Sequence, residues 1–202
     1  MIRSYIVAAA LVAAPAFAHA GQFEIDPSHS SVSFTVKHLM ISNVRGEFGK
    51  VKGTASWEKP DYSDAKVDVT VDATTIDTRD AKRDGHLKSP DFFDVAKFPT
   101  LSFKSKRVEK AKEKGHITLV GDLTIHGVTK EVAFDVTGPS PEQKTPFNTI
   151  AVGAEARAKI NRKDFGLNWN KALEAGGVVV GEEVNIEINL EMDKKAPVKA
   201  ER

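Results

Sequence analysis

Residues 183–192 read Glu-Val-Asn-Ile-Glu-Ile-Asn-Leu-Glu-Met, and no other pattern narrows the folding of this chain so far. Side chains of a strand point to alternate faces, so strict alternation specifies a strand with one dry side and one wet side. The same period recurs along the chain. Phe23 and Ile25 open a short strand that ends at the turn Asp26-Pro27-Ser28-His29. Val32, Phe34, Val36 and His38 then share a face. The stretch from Val44 to Glu58 carries Phe48, then Val51, Gly53, Ala55 and Trp57, with a parity change near Gly49 where a glycine bulge would bend the strand. Val67, Val69, Val71 and Ala73 follow, then Leu101 and Phe103. Ile117, Leu119, Leu123 and Ile125 pass through His126-Gly127 into Val132, Phe134 and Val136, which reads as a hairpin. Val152, Ala154, Ala156, Ala158 and Ile160 form the last face before residue 184.

These are eight or nine strands at hairpin spacing with no strand–helix alternation, which makes the fold class all-β and the pairing antiparallel. Closing the sheet into a barrel buries every dry face and removes the edges. A two-sheet sandwich satisfies the same alternation.

Two stretches break the pattern. Residues 74–98 contain Arg83-Asp84-Gly85-His86-Leu87-Lys88-Ser89-Pro90-Asp91-Phe92-Phe93-Asp94, with a short helix through Leu87 capped by Asp77 or Thr78. Residues 161–181 hold Phe165 and Trp169 and run to Gly176-Gly177. Both exceed what a hairpin needs, and long apolar connections usually cover something. Gly138 to Pro146 is expected to be a Pro-rich loop.

The N-terminus has its own logic. Arg3, an apolar run from Ile6 to Pro15 and Ala18-His19-Ala20 are the three parts of a secretory signal peptide, cleaved before Gly21. The remaining 182 residues suit one domain, residues 21–192, with a flexible tail over 193–202. They carry 28 basic and 28 acidic residues, a balance that gives no footprint for nucleic acid. The chain has no cysteine, which excludes disulfides and thiolate metal sites. No later apolar run reaches transmembrane length, so the mature chain is expected to have no transmembrane segment.

No nucleophile elbow, zincin helix, phosphate loop or dinucleotide fingerprint is present. His29, His38, His86, His116 and His126 lack the tight spacing of metal ligands, and no metal site is expected. The parity of His38 points it inward, either as a neutral core histidine bonded to a carbonyl or as a contact for the polar end of a ligand. The row Ala154, Ala156, Ala158 leaves volume inside a barrel, either as a ligand cavity or as an accommodation to taper.

The chain resembles the YceI-like family of exported, lipocalin-like proteins. The resemblance rests on Phe23-Glu24-Ile25-Asp26-Pro27-Ser28-His29-Ser30, Phe34-x-Val36-x-His38, Arg83-Asp84-x-His86-Leu87, Asp91-Phe92-Phe93-Asp94, Phe98-Pro99, Gly121 to Lys130, and Arg162-x-Asp164-Phe165-Gly166. It implies an extended eight-stranded antiparallel lipocalin-like barrel with one or two short helices in the crossover loops. It further implies a periplasmic carrier that sequesters a polyisoprenoid or isoprenoid quinone, in a stress response, without enzymatic activity or a further cofactor. Phe34, Val36, Phe103, Leu119, Phe134 and Ala156 are then the expected lining, with Phe92 and Phe93 plugging the interior. Arg83, His86 or His38 would meet a polar head group at the mouth, although Arg83 and Asp84 can equally form a structural ion pair. Gly85 stands where relatives carry a helix former, which shortens or loosens the helix. Implied partners are the isoprenoid lipid and a membrane b-type cytochrome; a homodimer stays open. The alternative is a histidine-based enzyme or metal protein built from His29, His38, His86 and an acid such as Asp84.

Overall fold

A computed structural model describes residues 21–195 apart from positions 112, 114 and 175. The signal-peptide reading of residues 1–20 lies outside these. Eleven strand segments form one sheet: β1 (Gly21–Ile25), β2 (Ser31–His38), β3 (Ser42–Phe48), β4 (Val51–Trp57), β5 (Lys66–Asp72), β6 (Thr100–Lys110), β7 (His116–Ile125), β8 (Val128–Thr137), β9 (Gln143–Lys144), β10 (Ile150–Asn161) and β11 (Val180–Lys194). One α-helix, α1 (Ala81–Lys88), and short 3-10 turns at Ala73–Thr75 and Arg162–Phe165 complete the elements.

The sheet order is β3-β2-β11-β1-β4-β5-β6-β7-β8-β10-β9, and pairing of β11 with β10 closes the ring. Both β1 and β2 lie on β11, with Ile25 opposite Met192 and Val32 opposite Ile188. They are one long stave interrupted at residues 26–30. In the same way β3 pairs with β2 and β4 with β1, making a second interrupted stave. Counted this way, ten of the segments make eight staves of a closed antiparallel barrel, and β9 is a short extra strand paired to β10. The sandwich alternative falls with that closure.

Each interruption has a local cause. Between β1 and β2 the Ser30 hydroxyl donates to the Glu191 carbonyl at 3.2 Å and accepts from the Glu191 amide at 3.1 Å, replacing the lost ladder bonds. Between β3 and β4 the residue with positive φ is Lys50, at 53°, not Gly49 as the parity change suggests. Gly49 instead bonds through its amide to Thr75 Oγ1, at 3.0 Å. The strand stops and restarts there rather than bulging.

Three further expectations need correction. Asp80, not Asp77 or Thr78, caps α1 by accepting from the Arg83 amide, and the helix runs to Lys88. Asp77 is occupied elsewhere: its backbone bridges Glu47 and its carboxylate accepts from the Arg79 amide at 2.7 Å. Asp193 and Lys194, expected in the tail, belong to β11, and the Lys195 amide donates to the Gln22 carbonyl; the rest of the expected tail lies outside the described residues. The loop from Gly138 contains β9, which pairs Gln143 and Lys144 with Ala151 and Ile150.

One seam is thin. β10 makes eleven register pairs with β11 but only three with β8, Glu155 to Arg157 against Asp135 to Thr137. Beyond Arg157 the 3-10 turn after β10 packs against β8 instead.

Candidate functional site

The inward faces of the staves do not meet. They leave a cavity of about 230 Å³, larger than the roughly 150 Å³ at which an apolar protein cavity stays dry and takes up benzene. Its wall is almost wholly hydrocarbon. Val32, Phe34, Val67, Val69, Leu119, Phe134, Ile186 and Ile188 are among the staves' contributions. The lining also includes residues from both ends of the barrel, so the cavity runs along the axis.

At one end lie the two covering segments. From residues 74–98, Leu87, Phe92 and Phe93 reach the cavity, and from residues 161–181, Arg162, Phe165 and Leu167 do so. Phe93 stands perpendicular to Phe48, with ring centroids 5.5 Å apart, and Phe48 touches Phe34 at 5.7 Å. Phe92, His86 and Trp169 form a three-ring cluster that joins the covers to each other, with centroid separations of 5.0 to 5.3 Å. Phe98, from the first cover, packs on His126 in the β7–β8 turn at 4.8 Å. Gly166, from the second, also lies against His126. Its φ of 79° and the 3.3 Å from an added Cβ to His126 Nδ1 leave no comfortable room for a side chain. At the far end Trp57, Tyr62 and Pro139 line the cavity; Trp57 stacks on Phe23 at 4.4 Å and meets Tyr62 edge-on at 5.7 Å.

Eight residues chosen from the sequence line this space: Phe34, Val36, Phe92, Phe93, Phe103, Leu119, Phe134 and Ala156. The three expected polar contacts do not. His38 keeps the parity of Val36 but lies at the last position of β2 and is not part of the lining, although its register partner Val180 is; its carbonyl accepts from the Ile41 amide. Its ring makes none of the carbonyl hydrogen bonds expected of a core histidine. Arg83 donates through Nε to Thr78 Oγ1 and through its terminal nitrogen to the Thr78 carbonyl, at 2.7 and 2.6 Å. Asp84 accepts from the same Thr78, from its hydroxyl at 2.5 Å and its amide at 2.9 Å. The two charges therefore clasp Thr78 between them rather than form an ion pair with each other. His86 is half-exposed and bonds Asp91 through Nε2 at 2.8 Å.

Sequence reasoning missed Arg162, the one buried cation of the lining. Its guanidinium donates to the carbonyls of Leu167, Gly181, Trp169 and Val180. Burial pushes its proton affinity down while Glu182 pulls it back up. With its donors spent on backbone, it pins the second cover to the barrel and offers little to a ligand. The available signal was its place in the motif Arg162-x-Asp164-Phe165-Gly166. The other charged lining residue, Glu155, is exposed and pairs with Arg157 at 3.6 Å.

Outside the cavity, one group of three metal-type donors occurs among the described residues: Asp26, His29 and Glu191 come within 4.8 Å of one another at the β1–β2 interruption. His29 donates or accepts through Nδ1 with Asp26 at 2.7 Å. That bond holds the Asp26 carboxyl below, and the His29 imidazole above, their ordinary ranges. His29, His38 and His86 each have separate surroundings, and Asp84 joins none of them.

A closed antiparallel barrel with an apolar axial cavity and two aromatic covers is a lipocalin-like barrel by architecture. Its chain belongs to the YceI-like domain family, whose model matches residues 23–192. The UPF0312 protein of Staphylococcus aureus strain MSSA476 is 37% identical over 169 residues, covering 84% of this chain and 95% of that protein. Among solved structures, the Campylobacter jejuni YceI protein superposes with a TM-score of 0.62 at 29% identity, over 79% of this chain and 90% of that one. BcnA of Burkholderia cenocepacia gives a TM-score of 0.68 at 21% identity, covering 83% and 98%. A polyisoprenoid-binding domain from Saccharophagus degradans gives 0.61 at 16% identity, covering 88% and 100%. The last two likenesses establish the fold.

Proposed function

We propose that this protein binds a long, uncharged apolar chain, a polyisoprenoid or the tail of an isoprenoid quinone, and acts as a carrier rather than an enzyme. The observation that supports this most is the cavity: about 230 Å³, axial, and walled by hydrocarbon from Tyr62 at one end to Phe92 and Phe165 at the other. Burial of apolar surface in such a space contributes about 25 cal/mol per Å² before the costs of association. Since Arg162 already directs four of its five N–H donors to carbonyls, a charged head group would find little pairing inside and belongs at the covered mouth. The name of the Saccharophagus degradans domain agrees with this class of ligand. The signal-peptide reading puts the work in the periplasm, where a stress role and quinone exchange with a membrane b-type cytochrome would fit.

The test is solvent extraction of natively purified protein followed by mass spectrometry. A stoichiometric isoprenoid is the expected result. An empty barrel that also takes up no added polyprenyl lipid would overturn the proposal.

A further inference from the structure

The β2–β3 turn spends its backbone in an unusual way. Leu39 and Met40 occupy its two central positions with φ of 50° and 61°, and the Ile41 amide donates to the His38 carbonyl at 3.1 Å. Two successive positive φ values are what a type I′ turn requires, and asparagine and glycine meet that need at least cost. The β7–β8 turn of the same barrel obeys the rule with His126-Gly127, at 51° and 73°. The β2–β3 turn instead carries three large apolar residues in a row. Two of them face water: Met40 is 53% and Ile41 81% exposed. Leu39 is half-buried and Met40 Cγ lies 3.4 Å from where a Cβ on Gly177 would stand, but Ile41 gains no such contact. Backbone strain held in a turn that leaves apolar side chains in water points to function at that place.

Position and charge identify what the turn meets. Leu39 donates to the Val179 carbonyl at 2.8 Å, and Val179 donates to the Lys171 carbonyl at 3.0 Å. The turn therefore lies edge to edge with the 171–179 hairpin of the second cover, at the covered mouth of the cavity. That hairpin adds Ala172, Leu173 and Val178 beside Gly176-Gly177. Lys37 and Lys171 lie near the tip and Arg45 stands further back, opposite Thr35; all three are exposed and have no carboxylate partner among the described residues. Glu174 is the opposing charge in the hairpin. Apolar side chains at a protruding tip, with unpaired cations behind them, match the layering of a bilayer interface: acyl chains below, anionic head groups above.

We propose that the Leu39–Ile41 turn, with the adjoining 171–179 hairpin, is a docking tip that inserts into the head-group boundary of an anionic phospholipid bilayer. This rests on the carrier reading and gives it a place of exchange: docking sets the mouth, and the cover pinned by Arg162, against the membrane that holds the ligand.

Flotation of the whole protein with vesicles of equimolar phosphatidylglycerol and phosphatidylethanolamine tests it. Wild-type protein is expected to rise with the vesicles. The variant Leu39→Asn, Met40→Gly, Ile41→Ser, whose turn residues suit the backbone better, is expected to fold at least as stably. Its partition should fall by about tenfold, as withdrawal of an isoleucine-sized side chain from an apolar phase implies. Wild-type protein that stays at the bottom overturns the proposal, as does a variant that floats equally well. A dimer that the variant abolishes, in wild-type protein that does not float, assigns the turn to a second copy and overturns it too. Uptake of a fluorescent polyprenyl lipid from detergent, measured in parallel, reads the cavity separately. Uptake without flotation sinks only the docking tip; flotation without uptake sinks only the carrier reading.

Discussion

The imidazole of His86 stands perpendicular to the indole of Trp169, ring centroids 5.0 Å apart, across a gap of more than eighty residues in sequence. It is the point where the two covering segments grip each other, and Phe92 completes the cluster beneath them. Each such aromatic pair contributes about 0.5–1.5 kcal/mol beyond area burial. Trp169→Ala should lower stability by about 2 kcal/mol in urea titration and accelerate release of a bound polyprenyl probe. Unchanged release kinetics would show that the covers open elsewhere.

Arg162→Met should be among the costliest substitutions in the chain. It keeps the volume but leaves the carbonyls of Leu167, Trp169, Val180 and Gly181 without their shared donor. A loss of about 3 kcal/mol or more is expected by denaturant unfolding. Arg162→Lys should recover only part of it, since an ammonium cannot span that fork.

Ala156→Phe should fill the cavity from β10. Uptake of a polyprenyl lipid should fall by at least about tenfold, equal to ~1.4 kcal/mol. Stability without ligand should stay level or rise by about 0.5–2 kcal/mol, the usual range for filling a void. Retained uptake would place the ligand outside the barrel.

The Asp26–His29 bond makes stability depend on pH in a definite direction. The His29 pKa is raised by Asp26, so its contribution is full below the unfolded value near 6.5 and is lost as pH climbs through the folded value. The Asp26 pKa is lowered, first by the bond to His29, so its contribution holds above about 4 and fades as pH falls through the folded value. His29→Ala should therefore lower the melting temperature most between about pH 4 and 6.5, and progressively less as pH rises through the raised folded value of His29. The pair is exposed, so the effect will be small. A difference from wild type that is constant across this range would count against it.

Gly85→Ala offers a gain. The residue is exposed in the middle of α1, and a methyl group there meets nothing within 4 Å. Removing the glycine penalty should raise stability by about 0.5–1 kcal/mol in thermal or urea unfolding.

What the sequence disclosed follows from what alternation can carry. Val32, Phe34 and Val36, or Leu119 and Phe134, announce their faces because a period of two leaves only one dry side. Alternation cannot say where a strand ends in space, and His38, the last residue of β2, shares their parity yet does not line the cavity. Nor does it show that β1 and β2 are one stave, which depends on Ser30 standing in for backbone ladder bonds to Glu191. The covers were visible as interruptions, with Phe92 and Phe93 conspicuous. Phe165, Leu167 and Arg162 have no periodic neighbours, and their inward placement comes from the 3-10 turn and its carbonyl contacts. Tyr62 sits in a turn of Pro60, Asp61, Ser63 and Asp64, where nothing local marks it as a wall residue.

The strand that closes the ring, β11, is also the last of the domain, and it pairs with both β1 and β2 as well as with β10. Every earlier pairing can form while the sheet is still an open ribbon with its inner face wet. No interior exists until residues 180–194 arrive and bring the first and last strands together, the contact of longest sequence separation and the slowest to pay back its entropy. Enclosure is thus an all-or-none event decided at the end of folding. A greasy cargo present at that moment would be trapped by the closing strand as readily as one admitted later through the mouth.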